Sequence, residues 1–202
     1  MHYVLISGSH RPNSQSFKIT EWLSKKLEEN QNTTDIISLS GNPFPFWDES
    51  FWNKDSELTA KMQPTIARIA KADGYIIVSP EWSGMAPSGL KNIFLYLDSK
   101  TVGHKPALLV SVSAGNGGSY PIAELRMSSY KNTKINYIPD HLIIRNCRDV
   151  MNSMEPNAEI KSDIFIQDRA KYTLNILEIY TKAFVVIREN ENLQNEKYEY
   201  GM

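Results

Sequence analysis

The segment YIIVSPEWSGMAPSGLKN, residues 75–92, contains the pattern from which the fold of this protein can be predicted. Residues 75–78 are apolar at successive positions, which is typical of a strand that is buried on both faces of a parallel sheet. Leu90, Phe94 and Leu97 follow at helical spacing. Residues 79–89, between these two patterns, contain two prolines and two glycines. The segment is therefore predicted to be a strand–loop–helix unit of an α/β protein.

Four other short apolar runs occur in the sequence, of which those at 3–6 and 107–112 are also apolar at successive positions, and helical patterns lie between the runs. The runs lie at residues 3–6, 35–39, 107–112 and 141–144, and further helical spacing occurs at 17–27, 62–70 and 174–187. Strands that alternate with helices predict a parallel sheet with right-handed crossovers and helices on both faces. Five strands of this kind fit the flavodoxin-like doubly wound sheet, in which the strand order is 2-1-3-4-5.

The composition limits the classes of protein to be considered. The 202 residues include 22 Lys and Arg against 23 Asp and Glu, and 41% are hydrophobic. This balance indicates a globular chain, and its length favours a single domain over residues 1–190, followed by a polar, flexible tail at 191–202. The net charge of −1 argues against a nucleic-acid binder and against an acidic electron carrier that docks by charge.

Membrane, secretion and metal signals are absent from the sequence. The apolar stretches are too short to span a bilayer, and the start of the chain turns to glycine and serine too early for a signal peptide. We therefore expect a cytoplasmic protein without membrane insertion. The four histidines lack ligand spacing, so no metal site is expected. The single cysteine, Cys147, is interpreted as a small core or strand-end residue.

The loop after the first strand has a composition that suits a phosphate group. Ligands of doubly wound sheets bind beyond the carboxyl ends of the strands, where the strand order reverses. The sequence there is GSHRPNSQS, residues 8–16, which offers hydroxyl groups, Arg11 and the free N–H groups of a helix start. It lacks both the Gly-Lys-Ser/Thr ending and the Gly-x-Gly-x-x-Gly fingerprint, so a terminal monophosphate fits better than a triphosphate or a dinucleotide. The alternative is a serine N-cap in an ordinary turn. His10 of this loop is expected to point into solvent, with a contact to the phosphate as the alternative.

The loops after the third and fourth strands are also unusual. The loop at 79–89 is predicted to present N–H groups and a flat aromatic wall to a planar ligand. Its Glu81 suggests a general base, although a lone loop glutamate is more often solvated or bound to nearby amides. The loop at 113–119, SAGNGGS, has three glycines in four positions, which indicates close approach by a ligand or simply an unusual turn.

Two motifs in these loops resemble those of a known family. Gly8-Ser9-x-Arg11-x-x-Ser14 and Pro80-Glu81-Trp82-Ser83-Gly84-x-x-Pro87-x-x-Leu90-Lys91-Asn92 are similar to the motifs of NADPH-dependent FMN reductases, which include quinone, chromate and some azo reductases. The spacing is compatible with that family from Gly8 to about Arg126. The sequence departs from the family pattern where Gln15-Ser16 replaces Phe-Asn, where Trp82-Ser83 replaces Tyr-Asn, and where Ser88 replaces glycine.

The resemblance implies FMN as the cofactor, NADPH or NADH as the transient hydride donor, and a set of FMN-binding residues. The phosphate and ribityl end would be held by Ser9, Arg11, Ser14, Ser16 and Phe17. The isoalloxazine would be lined by Pro80, Glu81, Trp82, Ser83, Gly84 and Met85, with Ser113 and Gly117 approaching its other side. No side-chain acid, base or nucleophile is required, so no catalytic residue is implied.

The implied activity is an NAD(P)H-dependent oxidoreductase that passes hydride from reduced nicotinamide through bound FMN to a small acceptor, such as a quinone, a flavin or an azo compound. Two other classes stay open at this point: a flavin-binding electron carrier, and a flavin-free interaction module on the same fold. The resemblance also implies a homodimer or homotetramer. The aromatic loop at 41–55 is either a surface loop folded on its own aromatics, or a dimer contact or wall of the active-site mouth.

Overall fold

The computed structural model describes residues 1–194, 197–198 and 200–201, and within them a five-stranded sheet forms the centre of the molecule. Its strands are β1 (His2–Ser7), β2 (Thr33–Ser38), β3 (Gly74–Pro80), β4 (Pro106–Val112) and β5 (Asn136–Ile144). Their order is β2-β1-β3-β4-β5, and each neighbouring pair is parallel. The predicted doubly wound sheet with strand order 2-1-3-4-5 is confirmed.

Helices connect the strands on both faces of the sheet. They are α1 (Gln15–Glu29), α2 (Glu57–Ala70), α3 (Ser88–Leu95), α4 (Ser99–Val102), α5 (Ser119–Met127), α6 (Lys161–Arg188) and α7 (Glu191–Gln194), with a 3-10 turn at Glu49–Trp52. The segment 191–202, predicted to be a flexible tail, thus begins with the short helix α7, and residues 195, 196, 199 and 202 lie outside the described residues. In the described part of the chain, no helix is long and apolar enough to cross a membrane.

The apolar strand residues divide between two core layers. In β1, Tyr3 and Leu5 pack into the layer that contains α1 and α6, whereas Val4 and Ile6 pack into the layer beneath α3 and α5. Successive side chains of a strand point to opposite faces, so a strand that is covered on both faces must be apolar at every position. This two-sided burial explains the unbroken apolar runs and leaves the strand ends as the place where polar loops meet.

Strand β5 begins five residues earlier than the apolar run at 141–144 that predicted it. Pro139 and Asp140 interrupt its hydrophobic pattern, and the register against β4 shifts between Ala107 and Leu109 to accommodate them. Proline is tolerated here because β5 is an edge strand, where one side of the backbone has no strand partner. The carboxyl end of β5 still reaches the same edge of the sheet as β3 and β4.

Candidate flavin site

The first loop (residues 8–14) runs from β1 into α1 and is organised around the N-terminus of that helix. Ser9 is buried, and its Oγ accepts a hydrogen bond from the Arg11 amide at 3.3 Å. Ser14 caps α1, because its Oγ accepts from the Phe17 amide at 3.1 Å. The first N–H groups of α1, at Gln15 and Ser16, have no acceptor inside the helix and carry the positive end of its dipole. These donors are available to an anion.

The sequence-predicted residues of this loop differ in their exposure. Ser16 is buried on the inner side of α1, whereas Arg11 is exposed and its guanidinium makes no hydrogen bond or ion pair with any residue that the structure describes. Phe17 is partly buried one turn into the helix. The loop therefore combines directional N–H donors with one unpaired arginine, and both features favour the binding of a phosphate.

The hairpin loop (residues 81–87) connects β3 to α3 through a tight two-residue turn. Trp82 and Met85 form a pair of backbone hydrogen bonds of 3.1 and 2.9 Å, with Ser83 and Gly84 between them. Both turn residues have positive φ, 50° for Ser83 and 70° for Gly84, as a type I′ turn requires. Glycine meets this requirement without strain, whereas serine does not. Ser83, Gly84 and Met85 are exposed, and Pro80 is buried at the strand end.

Glu81 ties the hairpin loop to the glycine turn (residues 113–118) that follows β4. Its Oε2 accepts a hydrogen bond from the Gly118 amide at 2.6 Å. A Cβ at Gly117 would lie 2.1 Å from the same oxygen, and a Cβ at Gly118 would lie 2.5 Å from Ile143 Cγ2. The glycines are therefore required by close packing within the protein. Glu81 is bound to a nearby amide, as is common for a lone loop glutamate.

The three loops contact one another in sequence across the sheet edge. The Gly8 amide donates to the Val78 carbonyl at 2.8 Å, and the ring of His10 meets that of Trp82 edge-on at 5.5 Å. His10 was expected to point into solvent, but its Nε2 is buried next to Gly89, since a Cβ there would lie 2.1 Å away. The first loop thus contacts the hairpin loop, which in turn contacts the glycine turn.

The polar atoms along this edge fit a bound ligand. Gln15 Oε1, His10 Nε2 and Glu81 Oε1 are buried and have no hydrogen-bond partner among the described residues. Buried polar groups in native proteins are nearly always paired, and a polar ligand held by these loops would supply such partners. A helix start suited to phosphate, an aromatic wall and a glycine turn match the phosphate and planar ring of FMN.

Two supporting residues were not identified from the sequence. Glu124 on α5 accepts from the Ala86 amide at 2.7 Å and from Lys91 Nζ at 2.6 Å, which ties the hairpin loop to α5. Burial alone would raise the pKa of Glu124, but these hydrogen bonds and the charge of Lys91 lower it below its ordinary value. Arg145, after β5, donates from Nε to the carbonyls of Asn116 and Gly117 at 2.8 and 3.0 Å.

The aromatic loop at 41–55 lies against α3 next to this site. Asn92 accepts from the Trp47 amide at 2.8 Å and donates to the Pro45 carbonyl at 2.6 Å, so the asparagine of the Leu-Lys-Asn motif holds the loop in place. The loop is folded partly on its own aromatics, but Phe46 and Trp52 stay 72% and 75% exposed. They line a cleft of about 1020 Å³ that is separate from the three loops. Because these two rings are exposed, they are available for the dimer contact considered in the sequence analysis.

Cys147, the single cysteine, adds no reactive group to this site. Cys147 is buried at the end of β5, and burial raises the pKa of its thiol, so it is not an activated nucleophile. A search of the described residues finds no group of three or more His, Cys, Asp or Glu side chains that could hold a metal ion.

The sheet is doubly wound, and at its carboxyl edge it carries a helix N-terminus suited to phosphate together with a glycine turn. These features define a flavodoxin-like nucleotide-binding protein. The family model described as NADPH-dependent FMN reductase matches residues 1–149. The chain is 23% identical to an NADPH azoreductase of Bacillus sp. (strain OY1-2) over 144 residues, which are 71% of this chain and 76% of that protein. It is 27% identical over 128 residues to the FMN-dependent NADPH-azoreductase of Staphylococcus saprophyticus, covering 63% of this chain and 68% of the relative.

A solved structure agrees on the fold. The NAD(P)H:quinone oxidoreductase from Methanothermobacter marburgensis superposes with a TM-score of 0.60 at 16% identity, covering 85% of this chain and 96% of that one. The chain belongs to the NADPH-dependent FMN reductase family. The predictions of an FMN-dependent NAD(P)H oxidoreductase, of its cofactors and of its family are confirmed.

Proposed function

We propose that the three loops at the carboxyl edge hold FMN and that the protein passes hydride from NADPH or NADH to a small aromatic acceptor, of the azo or quinone class. The observation that carries this proposal is the contact of the first loop, the hairpin loop and the glycine turn around buried polar atoms that lack partners. The azo substrates of the two sequence relatives support the choice of acceptor class.

The first loop binds the phosphate and ribityl end in this proposal. The N–H groups at the start of α1 donate to the phosphate, and the unpaired guanidinium of Arg11 adds charge-assisted bonds. The residues involved are Ser9, Arg11, Ser14, Ser16 and Phe17.

The hairpin loop and the glycine turn bind the ring. Trp82 is held by His10 and supplies an aromatic wall, while Glu81 keeps the glycine turn at a set distance from that wall. The lining residues are Pro80, Glu81, Trp82, Ser83, Gly84 and Met85 on one side, with Ser113 and Gly117 on the other. FMN supplies the two-electron chemistry when bound, so no side chain of this chain acts as an acid, base or nucleophile.

The acceptor would approach over an exposed apolar surface next to the hairpin turn. Met85 is 53% exposed and Tyr120, whose ring lies near Gly84, is 67% exposed. Flat aromatic molecules favour such a surface, because apolar contact and ring stacking stabilise them there. We assign the reaction to one domain, residues 1–190, in the cytoplasm.

We also propose a homodimer or homotetramer, formed through the cleft at the aromatic loop. Phe46, Trp52 and Leu95 line it and are largely exposed in the single chain. Large exposed apolar patches mark contact surfaces more often than free surface. Sedimentation of the parent and of Trp52→Glu at micromolar concentration tests this point, and a monomeric parent would contradict it.

Arg11→Ala tests the placement of the phosphate. Loss of a charge-assisted contact of about 1.5–3 kcal/mol predicts an FMN Kd raised by about tenfold to a hundredfold. Lys25→Ala is the matched control, because Lys25 is an exposed cation on α1, the helix that follows the first loop. An Arg11→Ala variant that binds FMN as tightly as Lys25→Ala would show that the phosphate lies elsewhere. Steady-state oxidation of NADPH with azo and quinone acceptors then tests the acceptor class.

A further inference from the structure

We propose that Arg145 and Arg148, on the turn that follows β5, bind the 2′-phosphate of NADPH and make the protein prefer NADPH over NADH. This inference rests on the proposed function and assigns a specificity site to it. The turn comprises residues 145–150, called the arginine turn below.

The arginine turn borders the glycine turn directly. The Asn146 amide donates to the Gly115 carbonyl at 3.1 Å, and the Cys147 amide donates to the Ser113 carbonyl at 3.2 Å. Because β5 is next to β4 in the sheet, this turn lies at the same carboxyl edge as the three loops. A dinucleotide whose nicotinamide reaches the flavin ring can extend its other end over this turn.

Both arginines have unused hydrogen-bonding capacity. Arg145 uses Nε to bind two carbonyls of the glycine turn, and its two terminal nitrogens have no partner among the described residues. Arg148 is exposed, and its guanidinium makes no hydrogen bond or ion pair within the same part of the chain. Three other arginines are paired with carboxylates, namely Arg68 with Asp35, Arg169 with Asp140 and Arg188 with Asp73.

The backbone of the arginine turn is held rigidly from the opposite side. Lys18 on α1 donates from Nζ to the Cys147 carbonyl at 2.7 Å and to the Val150 carbonyl at 2.9 Å. A third bond joins Lys18 to Asn152 Oδ1 at 2.7 Å. Because the turn is already ordered, an anion that binds to it does not have to supply the free energy of ordering the backbone.

The charge and shape of the ligand follow from the arginine chemistry. A guanidinium offers two parallel N–H donors that match phosphate oxygens, and two such groups suit a dianion. NADPH and NADH differ only in the 2′-phosphate, so a site for that group affects one nucleotide and leaves the other unchanged. Asp149 is the one acidic residue of the arginine turn, and it forms no ion pair with a described cation.

The test compares Arg148→Ala and Arg145→Lys with the parent and with Lys25→Ala. Lysine at 145 can still donate to the glycine turn but loses the paired donors. We expect kcat/KM for NADPH to fall by about tenfold or more in Arg148→Ala, with kcat/KM for NADH unchanged. Calorimetric titration with 2′,5′-ADP should show a matching loss of affinity, while 5′-AMP should bind parent and variant equally.

Three results would overturn the inference. The first is an equal fall in kcat/KM for NADPH and NADH in Arg148→Ala. The second is a weaker FMN affinity of this variant with an unchanged ratio of the two kcat/KM values, which would assign Arg148 to the flavin phosphate. The third is an unchanged 2′,5′-ADP affinity in both arginine variants. A parent that oxidises neither nucleotide would contradict the proposed function instead, and the 2′,5′-ADP titration would still test the arginines.

Discussion

Replacing Glu81 with alanine removes the hydrogen bond that joins the hairpin loop to the glycine turn. The bond is 2.6 Å long, its donor is the amide of buried Gly118, and its acceptor is a carboxylate. Hydrogen bonds to charged groups contribute about 1.5–3 kcal/mol, and an unpaired buried amide costs about 1–3 kcal/mol. We therefore expect the free energy of unfolding of the FMN-free protein to fall by about 1–3 kcal/mol. Glu81→Gln keeps an acceptor oxygen and should lose less.

Urea unfolding of the FMN-free protein measures this loss. With a denaturant dependence of about 2 kcal/mol per molar urea, the midpoint of Glu81→Ala should fall by about 0.5–1.5 M. The FMN Kd should also rise, because the glycine turn is no longer held at its distance from Trp82. Glu21→Ala, at an exposed glutamate on α1 whose side chain makes no hydrogen bond in the described chain, is the control and should stay within about 0.5 kcal/mol of the parent. A Glu81→Ala variant that matches Glu21→Ala in midpoint and in FMN affinity would refute this role.

Three further substitutions test the local geometry of the site. Ser83 has a φ of 50°, so Ser83→Asn should stabilise the fold by about 0.5–1 kcal/mol, and an unchanged or lower melting temperature would contradict this expectation. Gly118→Ala should destabilise the fold by about 2–4 kcal/mol, because the φ of Gly118 is 105° and the new Cβ would meet Ile143. Gly115→Ala is the control, because its Cβ enters open space and should cost less than about 0.5 kcal/mol. Equal urea midpoints for the two variants would contradict this packing. The lowered pKa of Glu124 means that its ionised form stabilises the fold fully above its ordinary value near 4.5 and that this contribution is lost as pH falls through the lowered pKa. The stability difference between the parent and Glu124→Gln, measured in urea from about pH 7 to about pH 3, should therefore shrink toward low pH, and a growing difference would be inconsistent with the hydrogen bonds seen here.

The sheet was predictable because a strand that is buried on both faces has apolar residues at successive positions in the sequence. The central strands β1, β3 and β4 are apolar at successive positions, and each was identified from that property. Strand β5 lies at the edge of the sheet, where one side of its backbone has no strand partner, so Pro139 and Asp140 are tolerated in it. These two residues break the apolar pattern, and the first five residues of the strand were therefore not predicted. The positions of the loops followed from the rule that ligands bind at the carboxyl edge of such a sheet.

The residues that hold the loops of the site in place were less predictable, because they bind groups that are distant in the sequence and that belong to no particular residue type. Glu81 was expected to be solvated or bound to nearby amides, and the amide that it binds belongs to Gly118, 37 residues away in the sequence. Asn92 binds a backbone amide and a carbonyl, and Arg145 binds two backbone carbonyls; backbone groups carry no residue identity, so nothing in the sequence indicates these partners. His10 lies in a polar loop and was expected in solvent, but the absence of a side chain at Gly89 gives its ring room to pack.

One measurement on the purified protein tests the flavin reductase activity most directly. The absorbance spectrum is recorded after reconstitution with FMN, then during anaerobic addition of NADPH, and finally after addition of an azo or quinone acceptor. We expect a yellow protein whose flavin bands bleach with NADPH and return with the acceptor. A protein that fails to bind FMN would contradict the assignment of the three loops. Bands that persist in the presence of NADPH and NADH would contradict the reductase activity and favour a flavin-binding electron carrier.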